Sequence, residues 1–433
     1  MGTLAGKRFR IRVLGCRTNQ YEAEAIASQL ILRGAVPSAG DWDVAVLLSC
    51  TVTSEADRKC RQQVRRLRRE NPGGVIIATG CWAQEVDPSE ARHLGLDAVV
   101  GNRLKWSVPD TAEFLLQGRA GGPVPLVSRL PSPPQEAWDG LQLDRPVLHT
   151  RAFLKVQDGC DHFCSYCIVP YVRGKPVSRD PGDILDEARR VAISGCHEIV
   201  LTGVHLGLYG GQDGWSLARL VEAISKVEGI ERIRFGSIEP FALDEGLVKA
   251  LAGIPSFCPH LHVPLQSGDD GVLMAMRRGY DSGGFARIIE RVRSLWSEDV
   301  HFSTDLMIGF PGESDKAFRN TLSLVKNLGF GKLHVFPYSA RPKTLAASLE
   351  GQVPESVKKA RCEEAITLGD GLLSRFAMKF LGSEVPVLVE NRRKDELKGL
   401  TPHFLSVRWK GEGVAGKVKH VLVSRFENGE FQG

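Results

Sequence analysis

Three cysteines lie within eight residues of one another, in the run GCDHFCSYC. They are Cys160, Cys164 and Cys167, with three and then two residues between them. Cysteine thiolates are the usual ligands of iron–sulfur clusters, and a four-iron cluster normally takes four of them. A set of three leaves one iron without a protein ligand, and an open metal position is typical of a catalytic site. The run therefore predicts a catalytic [4Fe–4S] cluster held by one loop.

Zinc binding and disulfide formation are the two alternative uses of these thiols. Zinc would need His162 as its fourth ligand, but that histidine lies between two of the cysteines, where there is little room for tetrahedral closure. Disulfides are disfavoured because an odd local set of thiols cannot pair completely. The iron–sulfur interpretation is the one that the spacing favours.

Three further cysteines follow predicted strands near the start of the chain. The first 120 residues alternate the apolar runs FRIRVLG, VAVLLS and VIIATG with helical stretches, one of them near 20–33. Such alternation predicts a parallel sheet covered by helices. The strands end in VLGC, LLSC and ATGC, and the cysteines are Cys16, Cys50 and Cys81.

These strand ends point to a second metal site. Ligands of an open parallel sheet bind beyond the carboxyl ends of its strands, and neighbouring strands lie about 4.8 Å apart. The three thiols can therefore converge on one object, although a coincidence of pattern stays open. We expect a second three-cysteine cluster, again with one open iron.

The chain divides into three predicted domains and a linker. Residues 1–120 form the α/β sheet domain, and 121–147 read as a linker because they are rich in Pro, Gly and Ser. From 148 to 373, six strands alternate with helices, which predicts a (βα)6-type partial barrel or a full one. The cysteine triplet follows the first of these strands, at the edge where barrels carry their functional loops.

Residues 374–433 change to short β-rich runs, EVPVLVE, HFLSVRW and KHVLVSRF. Sixty residues of this kind predict a small β-barrel, an architecture often used to hold single-stranded nucleic acid. A purely structural capping barrel is the alternative.

Composition limits the class of protein and its partners. Among 433 residues, 42% are hydrophobic and 25% are charged, as in an ordinary globular protein. No signal-like segment and no run of about 18 apolar residues occurs, so we expect a cytoplasmic location, reduced cysteines and no membrane partner. Residues 58–69, RKCRQQVRRLRR, hold seven basic side chains and no acid. Such a run suits nucleic acid, with a solvated helix face as the alternative.

The motifs now quoted resemble a known family. GCDHFCSYCIVPYVRG is similar to the signature of the radical S-adenosylmethionine enzymes, and the whole chain from about residue 8 resembles their methylthiotransferase branch. The resemblance implies an N-terminal methylthiotransferase domain, a central radical S-adenosylmethionine barrel and a C-terminal TRAM domain that binds RNA. LGCRTNQYEAEAI, LTGVHLGLYG and HVFPYSARPKTLAA look most like the MtaB type. There are small departures, such as LGCRTNQ for the usual LGCKVNQ, and neither this one nor Cys60, in a position where serine is common, alters a proposed ligand.

The resemblance also implies an activity and its cofactors. The MtaB type converts N6-threonylcarbamoyladenosine, next to the tRNA anticodon at position 37, to its 2-methylthio derivative. Related branches act on isopentenyl-adenosine in tRNA or on an aspartate of a ribosomal protein, and they remain alternatives, as does an RNA-binding module with structural metal. The implied cofactors are two [4Fe–4S] clusters and S-adenosyl-L-methionine, and the implied partners are the tRNA anticodon loop, an electron donor and a sulfur donor. The implied cluster ligands are Cys16, Cys50, Cys81, Cys160, Cys164 and Cys167.

Contacts to S-adenosylmethionine are expected at strand ends of the barrel. An aromatic residue usually precedes the third cysteine in the family, and a backbone without side chains admits a cofactor's amino group. The candidates are Tyr166, Thr202, Gly203, Glu239, Gln266 and Ser267. Ordinary loop packing is the alternative for each of them. Three histidines near strand ends, His205, His262 and His334, are interpreted as hydrogen-bonded structural residues.

Overall fold

The computed structural model describes residues 3–118, 126–130, 138–210, 214–393 and 395–433. The first of its sheets has six parallel strands in the order β2-β1-β3-β4-β5-β6. The strands are β1 (Arg8–Val13), β2 (Val36–Pro37), β3 (Val44–Ser49), β4 (Val75–Gly80), β5 (Ala98–Val100) and β6 (Leu126–Ser128). The helices are α1 (Arg17–Leu32), α2 (Ser54–Glu70), α3 (Cys81–Glu85), α4 (Pro88–Leu94) and α5 (Val108–Leu116). All six residues of β3 are buried, as expected for a central parallel strand covered on both faces. The predicted α/β sheet is confirmed.

The segment predicted as a linker contributes to this sheet. Within it, β6 pairs in parallel with β5 as the edge strand. Residues 121–125 and 131–137 of the predicted linker lie outside the described part of the chain. Farther along, Leu141 and Leu143 are buried in the main hydrophobic core. Short apolar segments of this kind are hard to recognise in the sequence, because the segment as a whole is rich in residues typical of loops.

The central unit is a partial barrel of six parallel strands, as predicted. Its strands are β7 (Ala152–Asp158), β9 (Glu198–Gly203), β10 (Arg232–Phe235), β11 (His260–His262), β12 (His301–Ile308) and β13 (Lys332–Pro337), and β8 (Val177–Ser178) pairs antiparallel to β7. The strands form two sheets, β10-β9-β7-β8 and β11-β12-β13. Isolated parallel bridges at Ile233–Phe257 and Ser237–His262 join the two sheets across the gap between β10 and β11.

Helices cover the outside of the barrel, and α1 packs against its inner strands. The helices of this unit are α6 (Val169–Arg173), which contacts α3 of the first domain, α7 (Pro181–Ile193), α8 (Leu217–Ile224), α9 (Glu245–Ala252), α10 (Asp270–Ala275), α11 (Ser282–Leu295), α12 (Asp315–Asn327) and α13 (Glu355–Ala377). Single 3-10 turns occur at Asn102–Ser107, Leu206–Leu208, Pro240–Ala242, Leu345–Ser348 and Met378–Phe380. Eleven of the 16 residues of α1 are buried, because this helix lies between its own sheet and β7. None of the helices described is long and apolar enough to cross a bilayer.

The C-terminal unit is a curled six-stranded sheet, a half-barrel consistent with a TRAM-like domain. Its strands are β14 (Glu384–Arg393), β15 (Glu396–Leu400), β16 (Ser406–Lys410), β17 (Val418–Leu422), β18 (Arg425–Glu427) and β19 (Glu430–Gln432), in the order β17-β14-β15-β16-β19-β18. Trp409 and Phe431 lie in its core. The guanidinium of Arg232 in β10 donates to the carbonyls of Leu400 and Pro386 at 3.1 and 2.8 Å, which docks this unit on the barrel.

Candidate active site

The three strand-end cysteines of the first sheet line one cavity of about 590 Å³. Cys16 caps the N-terminus of α1, Cys50 follows β3, and Cys81 begins α3 directly after β4. The opposite wall of the cavity comes from the barrel, from Thr202 and Gly203 at the end of β9 through to β13. The cavity therefore lies between the two α/β units, at the carboxyl ends of both sets of strands.

Two glycines allow these strand ends to approach one another. Gly15, at φ +119°, lies so close to Cys50 that a side-chain carbon on it would come within 2.9 Å of the Cys50 Cβ. Gly80, at φ +96°, lies against the backbone of Ser49, and an added Cβ would be 2.5 Å from the Ser49 carbonyl oxygen. Only glycine fits at both points. The glycines directly before Cys16 and Cys81 therefore allow the three strand ends to lie close together.

Backbone hydrogen bonds hold the loop that carries Cys160, Cys164 and Cys167. The Cys160 N–H donates to the Gly174 carbonyl at 3.0 Å, and the Cys167 N–H donates to the Cys164 carbonyl at 2.9 Å. Phe163 has φ +44°, a conformation that is uncommon for a residue with a side chain. Such local strain is typical of functional loops, where the surrounding structure holds it in place.

Replacing Gly159 with alanine is expected to displace this loop. Gly159 has φ +79°, and an added Cβ would lie 2.0 Å from the Lys175 carbonyl oxygen, so the backbone must move. We expect Gly159→Ala to lose most of the iron bound by the triplet, measured as iron per chain after anaerobic reconstitution in a Cys16→Ala background. Gly195→Ala is the matched control, because Gly195 has φ +86° but nothing within 4 Å of its added Cβ. Equal iron in both variants would contradict the prediction.

The donor set fits iron–sulfur clusters better than a single metal ion. All ten cysteines are free thiols. A tetrahedral zinc site with Zn–S bonds of about 2.3 Å would hold its sulfurs about 3.8 Å apart. Within the described part of the chain, the one group of three potential ligand atoms all lying within 4.8 Å of one another is Glu22, Asp139 and Asp158, which contains no sulfur. Neither cysteine set among the described residues has its three sulfurs all within 4.8 Å, which agrees with a cluster, since one iron per thiolate spaces the ligands more widely.

Three of these thiols, Cys50, Cys160 and Cys167, are buried enough to stay protonated until metal binds. Burial raises the pKa of Cys50 and of Cys167 to about 12, and that of Cys160 to about 11. Metal ligation requires the thiolate, so binding of iron must release these protons. The cysteines are therefore suited to a resident metal centre rather than to free nucleophilic thiolate chemistry.

Arg278 links the triplet to two of the predicted cofactor contacts. Its guanidinium donates to the Cys164 Sγ at 3.5 Å and the Tyr166 hydroxyl at 3.4 Å, and it forms an ion pair with Glu239 at 2.7 Å. Tyr166 also packs against the small apolar cluster that contains Met276. The carboxylate, the phenol and the cluster loop are thus held together by one cation.

The other predicted cofactor contacts lie in two places. Thr202 and Gly203 line the cavity. Gln266 has φ +72° and a buried side-chain carbonyl oxygen with no partner in the described structure. The Ser267 hydroxyl lies 3.3 Å from that of Thr321 in α12, and neither Gln266 nor Ser267 is among the described residues that line the cavity.

Comparison with known proteins agrees with this architecture. Residues 154–325 match the model of the Radical SAM superfamily, and residues 8–101 match uncharacterized protein family UPF0004. The threonylcarbamoyladenosine tRNA methylthiotransferase MtaB of Thermotoga maritima is 37% identical over 94% of this chain and 92% of its own length. The MtaB of Bacillus subtilis is 35% identical over 96% of this chain and 95% of its own.

The chain belongs to the MtaB family. A solved structure with a similar fold is the radical S-adenosylmethionine methyltransferase TsrM from Kitasatospora setae, with a TM-score of 0.57, 14% identity and coverage of 79% of this chain and 75% of that one. This likeness concerns the fold alone. Radical SAM membership implies S-adenosylmethionine and a [4Fe–4S] cluster as cofactors, and the triplet Cys160, Cys164 and Cys167 begins just after the start of the matched segment.

Sequence reasoning missed Arg173, which joins the two halves of this MtaB-type site. Its Nε donates to the Cys81 Sγ at 3.2 Å, while its terminal nitrogens reach Glu22 and Asp158 at 3.0 Å and the Asn19 side-chain oxygen at 2.9 Å. The arginine appears in PYVRG, beside the triplet motif, but its partner lies 92 residues earlier. Nothing in the sequence indicates such a pairing across domains.

The histidines near strand ends were predicted to be hydrogen-bonded, and the structure confirms this for His262 but not for His205. His262 is hydrogen-bonded as expected, to the Ser303 hydroxyl at 2.9 Å and to Asp305 at 3.2 Å. His205 differs, because neither of its ring nitrogens has a partner in the described structure and its ring stacks on those of His162 and Phe241. Burial lowers the pKa of His205, which keeps the ring neutral inside this stack.

Proposed function

We propose that the protein transfers a methylthio group to C2 of N6-threonylcarbamoyladenosine at position 37 of tRNA. The observation that carries the proposal is the single cavity lined by the cysteines of one domain and by strand ends of the radical SAM barrel. Two relatives that are 37% and 35% identical along nearly their whole length bear the name of this activity. The C2 hydrogen of adenine is not acidic enough for a side-chain base, so the reaction needs a cofactor that generates a radical.

Each cysteine set is proposed to hold one cluster. Cys160, Cys164 and Cys167 would hold the [4Fe–4S] cluster that binds S-adenosylmethionine. Cys16, Cys50 and Cys81 would hold a second [4Fe–4S] cluster. When bound, these groups supply hydrogen abstraction at C2 and the incoming sulfur with its methyl group. The open iron in each set follows from having three protein ligands where four close a cluster.

The chain's own residues position these groups. Arg278 holds Glu239 and the Tyr166 phenol beside the triplet, which supports the predicted contacts of Tyr166 to the adenine and of Glu239 to charged or ribose groups of S-adenosylmethionine. Thr202 and Gly203 offer backbone and a hydroxyl at the cavity wall. Gln266 and Ser267 are kept as proposed contacts, and the unpartnered Gln266 side-chain oxygen supports that assignment for Gln266. Arg173 fixes the Cys81 side of the cavity.

The RNA-binding surface is proposed to lie mainly on the C-terminal domain. Most arginines of the basic stretch in α2 are already neutralised: Arg58, Arg61, Arg66 and Arg68 form ion pairs with Glu55, Glu90, Glu70 and Asp97. This pairing favours the solvated-face alternative for that stretch. By contrast, four exposed cations of the C-terminal sheet make no hydrogen bond or ion pair with any described residue; they are Arg393, Lys410, Lys419 and Arg425.

The proposed domains are residues 1–120, 148–373 and 374–433, and β6 of the intervening segment adds an edge strand to the sheet of the first. The last of these is proposed as the RNA-binding TRAM domain and the second as the radical domain, with 121–147 between them. The cytoplasmic location expected from the sequence is retained, and a tRNA substrate supports it. An electron donor and a sulfur donor are also required by the reaction, and their identities lie outside the chain.

Binding of tRNA is expected to weaken with salt. If the four free cations neutralise about four phosphates, the dissociation constant should rise about 30- to 100-fold between 50 and 200 mM salt. Arg393→Gln should reduce the slope of log Kd against log salt by about 0.7. Fluorescence anisotropy of a labelled anticodon stem-loop measures both. Arg66→Gln is the control, since Glu70 already neutralises that charge. A slope near zero would contradict RNA binding by these four cations.

Anaerobic turnover on defined tRNAs tests the function. The reconstituted protein should form the 2-methylthio derivative on tRNA carrying threonylcarbamoyladenosine and not on tRNA carrying isopentenyl-adenosine. In cells that lack the protein, tRNA nucleosides should lose 2-methylthio-threonylcarbamoyladenosine. An unchanged nucleoside profile together with a methylthio group on a ribosomal aspartate would replace the proposal by the protein-modifying alternative.

A further inference from the structure

The wall of the cavity opposite the thiols is polar and charged. Besides Thr202 and Gly203 it includes Ser237 after β10, His262 in β11, Asp305 in β12 and His334 in β13. Asp305 is the sole carboxylate among the described lining residues, and its Oδ2 lies 3.2 Å from the His262 Nε2. The acid in the cavity therefore already has a partner.

Arg17 is the cation of this cavity that has no partner. Arg173 is saturated by Cys81, Asn19 and two carboxylates, whereas Arg17 makes no hydrogen bond or ion pair with any residue that the structure describes. Its guanidinium lies 5.7 Å from the centre of the Phe404 ring. A half-buried guanidinium without an anion is costly, and a planar bidentate acceptor such as a carboxylate is its best partner.

The surroundings of Arg17 favour an anionic ligand. Arg151 and Arg234 pack on the same Phe404 ring, at 5.6 and 5.1 Å, and they pair with Glu390 at 2.8 Å and with Glu198 at 3.0 Å, respectively. These two carboxylates therefore serve Arg151 and Arg234 rather than Arg17. The charge of Arg17 is left to face the cavity, although Asp305 lies within electrostatic reach of it.

The position of Arg17 next to Cys16 adds a geometric reason. Two consecutive residues place a proposed cluster ligand and a free cation at adjoining points of one cavity. An adenosine that reacts at C2 and carries a carboxylate on its N6 substituent requires both groups. The cluster must lie at the reacting carbon, and the cation must lie at the carboxylate. Threonylcarbamoyladenosine carries that carboxylate on its threonyl group, and isopentenyl-adenosine has no charge there.

We propose that Arg17 binds the threonyl carboxylate and thereby selects threonylcarbamoyladenosine over adenosines with uncharged N6 substituents. The assignment rests on the proposed function and names the residue that determines its specificity. A charge-assisted pair of this kind is expected to contribute about 10- to 100-fold in kcat/KM or Kd, which corresponds to about 1.4–2.7 kcal/mol.

The test compares two anticodon stem-loops that differ only at the carboxylate. One carries threonylcarbamoyladenosine and the other carries its methyl ester. The wild-type holoenzyme should prefer the free acid by about 10- to 100-fold in kcat/KM and in Kd measured without S-adenosylmethionine. Arg17→Gln should bring the two substrates to within about threefold, while Arg17→Lys should retain part of the preference. Arg65→Gln, at an exposed position in α2, should leave the ratio unchanged.

The outcomes separate this inference from the function on which it rests. If the wild type converts neither stem-loop, the proposed function fails. If it converts both at equal rates, or if Arg17→Gln lowers both equally, the role of Arg17 is overturned while the function stands. Iron content of Arg17→Gln checks that the adjacent Cys16 still binds metal. If iron is lost from Arg17→Gln, the proposal is judged from the wild type alone. Equal kcat/KM for the free acid and the methyl ester then overturns it, and a preference for the free acid supports it.

Discussion

Cys164→Ala is expected to abolish cleavage of S-adenosylmethionine, whereas Cys16→Ala leaves cleavage largely intact and abolishes methylthio transfer. Cys164 belongs to the triplet in the barrel, beside Arg278, Tyr166 and Glu239. Cys16 lines the cavity at the start of α1, whereas no cysteine of the triplet is among the described residues that line it. Because the two sets of thiols come from different domains, removal of one ligand should damage one cluster and spare the other.

The measurement is anaerobic formation of 5′-deoxyadenosine and of methylthiolated tRNA by the same preparations. We expect at least about 1,000-fold less of both products with Cys164→Ala, and a comparable loss of methylthiolated tRNA alone with Cys16→Ala. Iron per chain should fall by about half in each variant.

A third cysteine supplies the matched control. Cys196 is buried, its Sγ lies 3.5 Å from the carbonyls of Thr150 and Glu198, and it belongs to neither cysteine set. Cys196→Ala should retain both products and full iron. Equal loss of both products from Cys16→Ala and Cys164→Ala would mean that the two sets do not act as separate centres.

Elements with a local sequence signal were predictable. The strands before Cys16, Cys50 and Cys81 are short apolar runs, and the parallel topology that brings their ends to one edge follows from the alternation with helices. The six strands of the barrel were predicted for the same reason. Each of these inferences needs only neighbouring residues and the rule that parallel strands end at a common edge.

Contacts that join distant segments were not predictable. Arg173 and Glu22 are 151 residues apart, and Arg341 reaches Asp57 across 284 residues. Single charged residues carry no periodic signal, so the sequence shows a charge but not its partner. The pairing in α2 is a related case: its arginines suggested a polyanion, while the acids that neutralise Arg61 and Arg68 lie 29 residues further along the chain.

The Arg173–Glu22 contact belongs to a buried ionic network that also contains Lys155. Lys155 in β7 is fully buried, and its Nζ lies 2.6 Å from Asp139 and 3.2 Å from both Glu22 and Asp158. The three carboxylates lie close enough to hold a metal ion, but the ammonium of Lys155 already fills the space between them. The network joins α1 of the first domain to the barrel, so the relation between the two cysteine sets depends on it.

Lys155→Met is expected to destabilise the protein by about 3–5 kcal/mol at pH 7. Removing one member of a buried ionic network leaves the remaining carboxylates without compensation, and this costs far more than the pair contributes. Urea denaturation followed by tryptophan fluorescence measures the change, and Trp138 is a local probe because the Lys155 ammonium lies 4.8 Å from its ring. Lys249→Met is the control: Lys249 pairs with Glu245 on the exposed face of α9, where the same substitution should have no measurable effect.

The penalty in Lys155→Met should shrink as the pH falls. Burial alone would raise the pKa of Glu22, but Arg173, Lys105 and Lys155 outweigh it and lower that pKa to about 2. In the wild type, the stability from this carboxylate is present above its ordinary value near 4.5 and is lost only as the pH falls towards 2. Without Lys155, Glu22 takes up a proton at a higher pH than in the wild type, which relieves the uncompensated charge. The difference in unfolding free energy between variant and wild type should therefore be smaller at pH 4 than at pH 7, and a constant difference would show that lost packing, not charge, sets the penalty.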